Sequence, residues 1–329
     1  MMKRLVLAAL AAGALTADVL TAGALTGPAL AAEPLAVGMI SRTFYYVPVW
    51  AAEQQGFFAE EGLQPDLQII GNDAQTSQLL DGKLQITVAP TEGILQNVQA
   101  GGPLRMIAGN AGKLSHYLIA LPKYNRIEDL KGAKIGILSL KEGSFFHFQE
   151  MAAKHGLTYP GDYEVVSTGG APARHKALEA GTIDAGLQSI PWSYVAEDEG
   201  FHNLGSIVDY IPDWQFTSYN VNDDWAQKHP EVVTAFLRAV LKGTDWMYEN
   251  RDAAIALAAE KLGIKQEYAA RGWDYFTQAG TITRDLRINE PGLLKVIEIQ
   301  KKAGLLPADA STDPTTYVDY RYLDAASKK

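Results

Sequence analysis

Apolar and polar positions follow one another in short blocks along this chain, and one block occurs twice. Leu79-Leu80-Asp81-Gly82-Lys83-Leu84-Gln85 runs into a mostly apolar stretch at 86–89. Leu178-Glu179-Ala180-Gly181-Thr182-Ile183-Asp184 runs into another at 185–187. Each reads as a helix ending at glycine, a short link and a short strand. Each strand stops at a polar corner, Pro90-Thr91-Glu92 in the first and Gln188-Ser189 in the second. A duplicated helix–glycine–strand unit predicts two similar α/β lobes. Lobes that meet at their strand ends enclose a cleft suited to a small molecule.

The rest of the pattern extends both units. In the first, strands are predicted at 35–40, 67–70, 86–89, 104–108 and 117–121. Helices are predicted from Pro48 to Gly62, at 74–80 and at 92–100, the last stopped by Gly101-Gly102-Pro103. A second set starts near Pro122, with a helical turn at 127–130 and strands at 134–138, 163–166, 185–187 and 204–208. Its helices are predicted at 145–155, capped by Ser144, and at 172–180 and 191–199. This βαβα succession predicts parallel-rich sheets covered by helices. The C-terminal third is helical, at 231–249, 251–261, 266–278 and 291–303. No low-complexity linker separates these pieces. The chain is therefore expected to cross between lobes near Pro122 and near Thr217-Ser218-Tyr219. One lobe is then 33–121 plus 218–329 and the other 122–217.

Composition narrows the classes. A chain of 329 residues can build two cores, and a net charge of −9 without a basic stripe argues against nucleic acid or an anionic membrane as partner. There is no cysteine, which excludes disulfides, thiolate metal sites and a cysteine nucleophile. Met1-Met2-Lys3-Arg4, an Ala/Leu-rich run at 5–25 and Ala29-Leu30-Ala31 read as a cleaved signal peptide over 1–32. The mature protein is expected to be soluble in a periplasm.

Several phrases carry a family resemblance: "VPVWAAEQQGFFAEEGL", "LLDGKLQITVAP", "QAGGPLRMIAG", "IEDLKGAKIGI", "ALEAGTIDAGL" and "HPEVVTAFLRAVLKGTDWMYEN". In this order they resemble the periplasmic solute-binding proteins of ABC importers, in the branch of sulfonate, taurine, nitrate and thiamine-pyrimidine-precursor binders. The resemblance implies a type II-like periplasmic binding protein fold, α/β, with two lobes joined by two hinge crossings. It also implies a monomer that closes on a small-molecule ligand and docks on an ABC-transporter permease in the inner membrane. One relative, the eukaryotic thiamine-pyrimidine synthase, is an enzyme whose pattern includes a cysteine cluster that this chain lacks.

Ligands in such folds sit beyond the carboxyl ends of the strands, which selects particular loops. The aromatics Phe44, Tyr45 and Tyr46 follow the first strand, and at least one is expected to face the cleft. Gly143 and Ser144 open a helix whose free N–H groups can take an acceptor, or serve as an ordinary cap. Thr91 and Glu92 sit at one repeat corner, and Gln188 and Trp192 at the other. Glu92 could bind ligand or offset a helix dipole, and Trp192 could stack on a planar ligand or pack in its helix. Gly170, Asn110 and Asp73 occupy similar strand or helix ends, and Trp214 and Phe216 precede the return crossing. Arg42, Lys141 and Arg174 read as surface cations. No nucleophile elbow, P-loop, dinucleotide or H-E-x-x-H motif occurs, and the six histidines show no spacing for a metal. The residues thus predict a non-enzymatic binding component with no cofactor and no metal, capturing an aromatic or heteroaromatic solute. The alternatives are an aliphatic sulfonate or taurine binder, and an enzyme of pyrimidine or thiamine-precursor metabolism.

Overall fold

In the computed structural model, which describes residues 35–328, the duplication is visible as two sheets of the same design. The expected signal segment at 1–32 lies outside the described residues. The strands are β1 (Leu35–Met39), β2 (Pro65–Ile69), β3 (Ile86–Pro90), β4 (Leu104–Ala111), β5 (His116–Ala120), β6 (Lys134–Ile137), β7 (Glu164–Ser167), β8 (Ala185–Ser189), β9 (His202–Ser206) and β10 (Thr217–Asn222). One sheet has the order β2-β1-β3-β10-β4 and the other β7-β6-β8-β5-β9. The second order maps onto the first strand for strand. β1 runs parallel to β2 and β3, and β6 parallel to β7 and β8. Each sheet holds one reversed strand, β10 in the first and β5 in the second, antiparallel to both neighbours. Each reversed strand is the one that has just arrived from the other sheet.

The helices that follow the sheets are α1 (Val47–Gln54), α2 (Phe57–Glu60), α3 (Asn72–Leu80), α4 (Glu92–Gln99), α5 (Gly143–Lys154), α6 (Ala171–Glu179) and α7 (Trp192–Asp198). The repeated block builds the same turn twice. After α3, Lys83 and Leu84 N–H donate to the Gln78 carbonyl, and after α6, Thr182 and Ile183 N–H donate to that of Ala177. Gly82 and Gly181 make these turns possible with φ of 71° and 63°, a region costly for other residues. Gln85 then joins β1 through the Ala36 carbonyl, and Asp184 joins β6 through that of Lys134. Leu79 and Leu178 anchor the two helices in their respective cores.

The crossings differ from expectation. β5 belongs to the second sheet, so the chain leaves the first sheet at 112–115 rather than near Pro122. An apolar run such as His116-Tyr117-Leu118-Ile119-Ala120 announces a strand but not the sheet it joins. The return passes through 207–216, and β10 starts at Thr217 as an interior strand of the first sheet. Gln215 pins the two crossings together. Its amide donates to the Ala111 carbonyl (3.2 Å) and its Oε1 accepts from Asn289 N–H (2.6 Å).

The remaining helices complete the first lobe: α8 (Asp223–Ala226), α9 (Pro230–Glu249), α10 (Arg251–Leu262), α11 (Gln266–Gln278), α12 (Glu290–Lys302) and α13 (Arg321–Ala326). α9 packs along α1, and Gly243 permits that approach, since a Cβ there would collide with the Pro48 carbonyl. The helix expected from Pro48 to Gly62 is broken at Gly56, whose φ is 78°. Among the described residues no helix is long and apolar enough to cross a membrane.

Candidate functional site

The carboxyl ends of the parallel strands of both sheets face one another. Between them lies a cavity of about 620 Å³, lined by Asp73, Glu92 and Asn97 from one lobe and by Ser139, Lys141 and Glu142 from the other. Deeper in, a chamber of about 30 Å³ is lined by Tyr45, Tyr46, His116, Ser144, Arg174 and Phe216. That volume is roughly the share of one water in the liquid. Glu142 lines both spaces.

Glu92 is the most exceptional group. It opens α4, is 1% exposed, and neither of its oxygens has a hydrogen-bond partner. Burial, and then the charge of Glu142 across the cleft, push its carboxyl well above the usual carboxylate range. Glu142 comes from the other lobe and caps α5, accepting from Ser144 N–H at 2.9 Å and from the Ser144 hydroxyl. Burial raises it too, against the lowering effect of the Ser144 bonds and of Arg174. Gly143 sits where the two carboxyls and an indole converge. A Cβ there would stand 2.9 Å from Trp214 Nε1 and 3.2 Å from Glu92 Oε1. Trp214 is fully buried with its N–H unpartnered, and it meets the His147 ring edge-on at 4.2 Å. Burial holds His147 down to about 3, so this imidazole is neutral.

Arg174 supplies the opposite charge. Its side chain lies under the second sheet, where Gly136 and Gly186 leave room for its stem. Nη1 donates to the Gly169 carbonyl at 3.2 Å, while Nε is buried without a partner. Burial lowers it to about 10, still charged at neutral pH. His116 stacks beside Tyr45 at 6.1 Å, and burial, then Arg174, press it well below the usual imidazole range. The Tyr45 hydroxyl accepts from Ser115 N–H at 2.9 Å, tying β1's loop to the first crossing.

The expected site residues are dispersed. Asp73 and Glu92 line the larger cavity, and Tyr45, Tyr46, Ser144, Gly170 and Phe216 line the inner chamber. Gly143 and Trp214 stand directly behind Glu92. Phe44 is in the core against Phe276 at 4.7 Å, because the short 3₁₀ turn at Phe44–Tyr46 sends it away from the cleft. Thr91, Asn110 and Gln188 are committed to structure. Thr91 donates to the Gln215 carbonyl (3.0 Å), and Asn110 donates to the Tyr45 carbonyl and to Thr217 Oγ1 (3.1 and 3.0 Å). Gln188, with its amide set to suit its neighbours, donates to the Ala171 carbonyl and accepts from His175 N–H. Trp192 lies outside both chambers, and its Nε1 donates across the lobes to the Arg42 carbonyl at 3.3 Å. Arg174, read from sequence as a surface cation, is 2% exposed. Glu142, His116 and Ser189 also join the inner chamber. The glycines of β6 and β8 were the available signal for Arg174. The aromatics gather at the inner chamber, while the larger cavity mixes polar side chains, among them Asn97, Ser139 and Lys141, with apolar ones such as Ile94 and Leu140.

Comparison with known proteins adds to this geometry. A family model described as NMT1/THI5 like matches residues 43–254. The chain is 26% identical over 290 residues to the 4-amino-5-hydroxymethyl-2-methylpyrimidine phosphate synthase of Uromyces fabae, covering 81% of this chain and 82% of that protein. It is 26% identical over 227 residues to the formylaminopyrimidine-binding protein of Halalkalibacterium halodurans, covering 65% and 64%. The structure matches the periplasmic nitrate-binding protein NrtA from Synechocystis PCC 6803 with a TM-score of 0.76 at 13% identity, covering 90% of this chain and 88% of that one. The two-lobed fold expected from the sequence is therefore present. The expectation that the chain is not an enzyme is overturned, since relatives aligned over four-fifths of it are named as synthases. Missing cysteines and missing motifs exclude particular chemistries, not catalysis.

Proposed function

The chain belongs to the NMT1/THI5-like family, and from that membership and the buried Glu92 carboxyl we propose that it captures a small aminopyrimidine-class heteroaromatic in the cleft between its lobes. The carrying observation is that Glu92 belongs to the wall of the 620 Å³ cavity and that both of its buried oxygens are unpartnered. A carboxyl held toward its neutral form both donates and accepts. The edge of a 4-aminopyrimidine offers an acceptor ring nitrogen beside a donor amino group, so the two make parallel hydrogen bonds. Nitrate and alkylsulfonates offer acceptors only, so they could take the donor of a neutral Glu92 and the Lys141 ammonium but would leave the Glu92 carbonyl oxygen without a donor. That disfavours the sulfonate alternative. The cavity volume is within the range of small-molecule sites. The inner chamber is too small for a ring, so the ring sits in the outer space with its edge on Glu92.

Capture then couples to closure. Glu142 and Arg174 come from the second lobe, so contacts to them exist only when the lobes meet. Those contacts make the ligand favour the closed form. In this reading the chain works as a monomer in the periplasm after loss of its signal segment, and delivers its solute to the permease of an ABC importer. The synthase names of its relatives favour one second reading, in which the bound ring is also chemically altered in the same cleft.

The test is calorimetric titration of the purified protein with 4-amino-5-hydroxymethyl-2-methylpyrimidine, a formylaminopyrimidine, taurine and nitrate. The pyrimidines should bind, and Glu92→Ala should weaken them about tenfold or more, the cost of losing two parallel hydrogen bonds to a neutral carboxyl. Silence from both pyrimidines, or full affinity in Glu92→Ala, refutes the assignment. Mass spectrometry of the recovered ligand separates the two readings: an unchanged mass means capture, a new mass means turnover.

A further inference from the structure

We propose that His175, Glu179 and Glu199 form a divalent-cation site of the zinc class, on the face of the second lobe that borders α10 and α11 and separate from the ligand cleft. His175 and Glu179 lie one turn apart on α6, so their side chains share a face. Glu199 is the C-cap of α7, which packs beside α6. One donor atom from each of the three falls within 4.8 Å of the others, and His175 Nε2 is 2.9 Å from Glu199 Oε2. In a tetrahedral zinc site, bonds of about 2.0–2.2 Å place neighbouring donors roughly 3.3–3.5 Å apart. The His175–Glu199 pair has only to open by a few tenths of an ångström. Glu179 has to swing in, and it is exposed and holds no ion pair among the described residues.

The imidazole is held in place by packing. It is 4% exposed, and it is wedged between the rings of Trp192 (5.4 Å) and Phe201 (6.2 Å). Its side chain has no hydrogen-bond partner outside the cluster, Nδ1 being buried without one. Its ring borders a cavity of about 490 Å³ that also touches Glu179, Glu199, Lys265 and Tyr268, leaving room for a water at a fourth position. One neutral imidazole and two carboxylates balance the charge of a divalent ion and suit zinc, which takes His nitrogen and Glu oxygen. Binding through Nε2 moves the ring proton to the unpartnered Nδ1. That penalty lowers the affinity about ten- to a hundredfold relative to a site with a satisfied second nitrogen. The expected affinity is accordingly micromolar. Sequence spacing alone conceals the site, because Glu199 reaches the α6 pair only through the packing of α7.

The experiment titrates the tag-free, chelator-treated full chain with Zn²⁺ alone, against a chromophoric competitor. One equivalent should bind with micromolar affinity and raise the Tm. Glu179→Gln, an exposed change that leaves the fold intact, should weaken binding about tenfold, and His175→Ala should abolish it. Co²⁺ in place of zinc should give visible absorption of a four-coordinate site that Glu179→Gln alters. Binding weaker than millimolar, or binding unchanged in Glu179→Gln with an unchanged cobalt spectrum, overturns the assignment.

Discussion

Replacing Glu92 by Gln should stabilise the ligand-free protein at neutral pH and remove part of its pH dependence. The reasoning rests on a carboxyl that is 1% exposed, without partners, and opposite a second buried acid. In the unfolded chain Glu92 releases its proton near pH 4.3. In the folded protein its affinity for the proton is raised, first by burial and then by Glu142. Above the unfolded pKa and below the folded one, the native state holds one more proton than the unfolded state. Stability must fall in that window by about 1.4 kcal/mol for each pH unit. Gln mimics the neutral acid and cannot ionise, so the variant escapes the loss. For a chain of this size the difference amounts to about 2–4 °C in Tm per pH unit. Calorimetric melting of both proteins at pH 5, 6, 7 and 8 gives the comparison. The variant's advantage should be smallest at pH 5 and grow with pH until the folded pKa is passed. His116 and His147, pressed down mainly by burial, act in the opposite direction and are present in both proteins, so they cancel in the difference. Adding Glu142→Gln to both backgrounds should shrink the effect. A difference that is constant over pH, or a variant less stable at pH 8, refutes the reasoning.

Three further outcomes follow from particular contacts. Gly243→Ala should cost about 1–3 kcal/mol in a urea titration, because its Cβ meets the Pro48 carbonyl and comes within 2.9 Å of Ala52 N, both backbone atoms that cannot rotate aside. Arg271→Ala removes a guanidinium 3.8 Å above the Tyr194 ring and 4.0 Å from Glu197, a contact between lobes. Stopped-flow release of the proposed ligand should be about two- to fivefold faster. Trp192→Phe keeps the packing on His175 and loses the bond to the Arg42 carbonyl, so release should also quicken while the Tm of the ligand-free protein changes little.

Much of this architecture was legible because its causes are local. The turns at Gly82 and Gly181 need a left-handed residue just past a helix, and glycine announces them in sequence. The long amphipathic α9 was legible from its apolar face, which packs on α1. What could not be read depends on which sheet a strand joins. The apolar residues of β5 suit either sheet, and β10 looked like an extended link because its Thr, Ser and Asn side chains are polar. They are buried nonetheless: Asn220 donates to Thr87 Oγ1 (3.3 Å) and Ser218 to Asn220 Oδ1 (2.6 Å), which satisfies them inside the sheet. The site was legible to the same degree. Strand ends selected Glu92, Tyr45 and Ser144, since topology alone puts them at the cleft. Thr91 and Asn110 share that position but are held by the crossings. Arg174 escaped because a charge is rarely buried, and only the missing side chains of Gly136 and Gly186 make its place.

The two lobes share a topology, yet their equivalent corners are not equivalent in chemistry, and that difference gives the cleft a direction. At the end of β3 the corner presents Glu92 to the cavity, while Thr91 is consumed at the hinge. At the end of β8 the corresponding corner presents Ser189, whose buried hydroxyl is also unpartnered, with Arg174 beside it in the same chamber. An acid end and a basic end therefore face each other through Glu142, which belongs to both spaces. Each unpartnered group costs the empty closed form about 1–3 kcal/mol. The empty protein thus gains by parting its lobes and rehydrating these groups. On the proposed reading, a solute that bonds to Glu92 on one lobe and reaches the Glu142–Arg174 side on the other removes the penalty only when the lobes are shut. In that reading, the same unsatisfied atoms that weaken the closed form when empty make closure depend on the ligand.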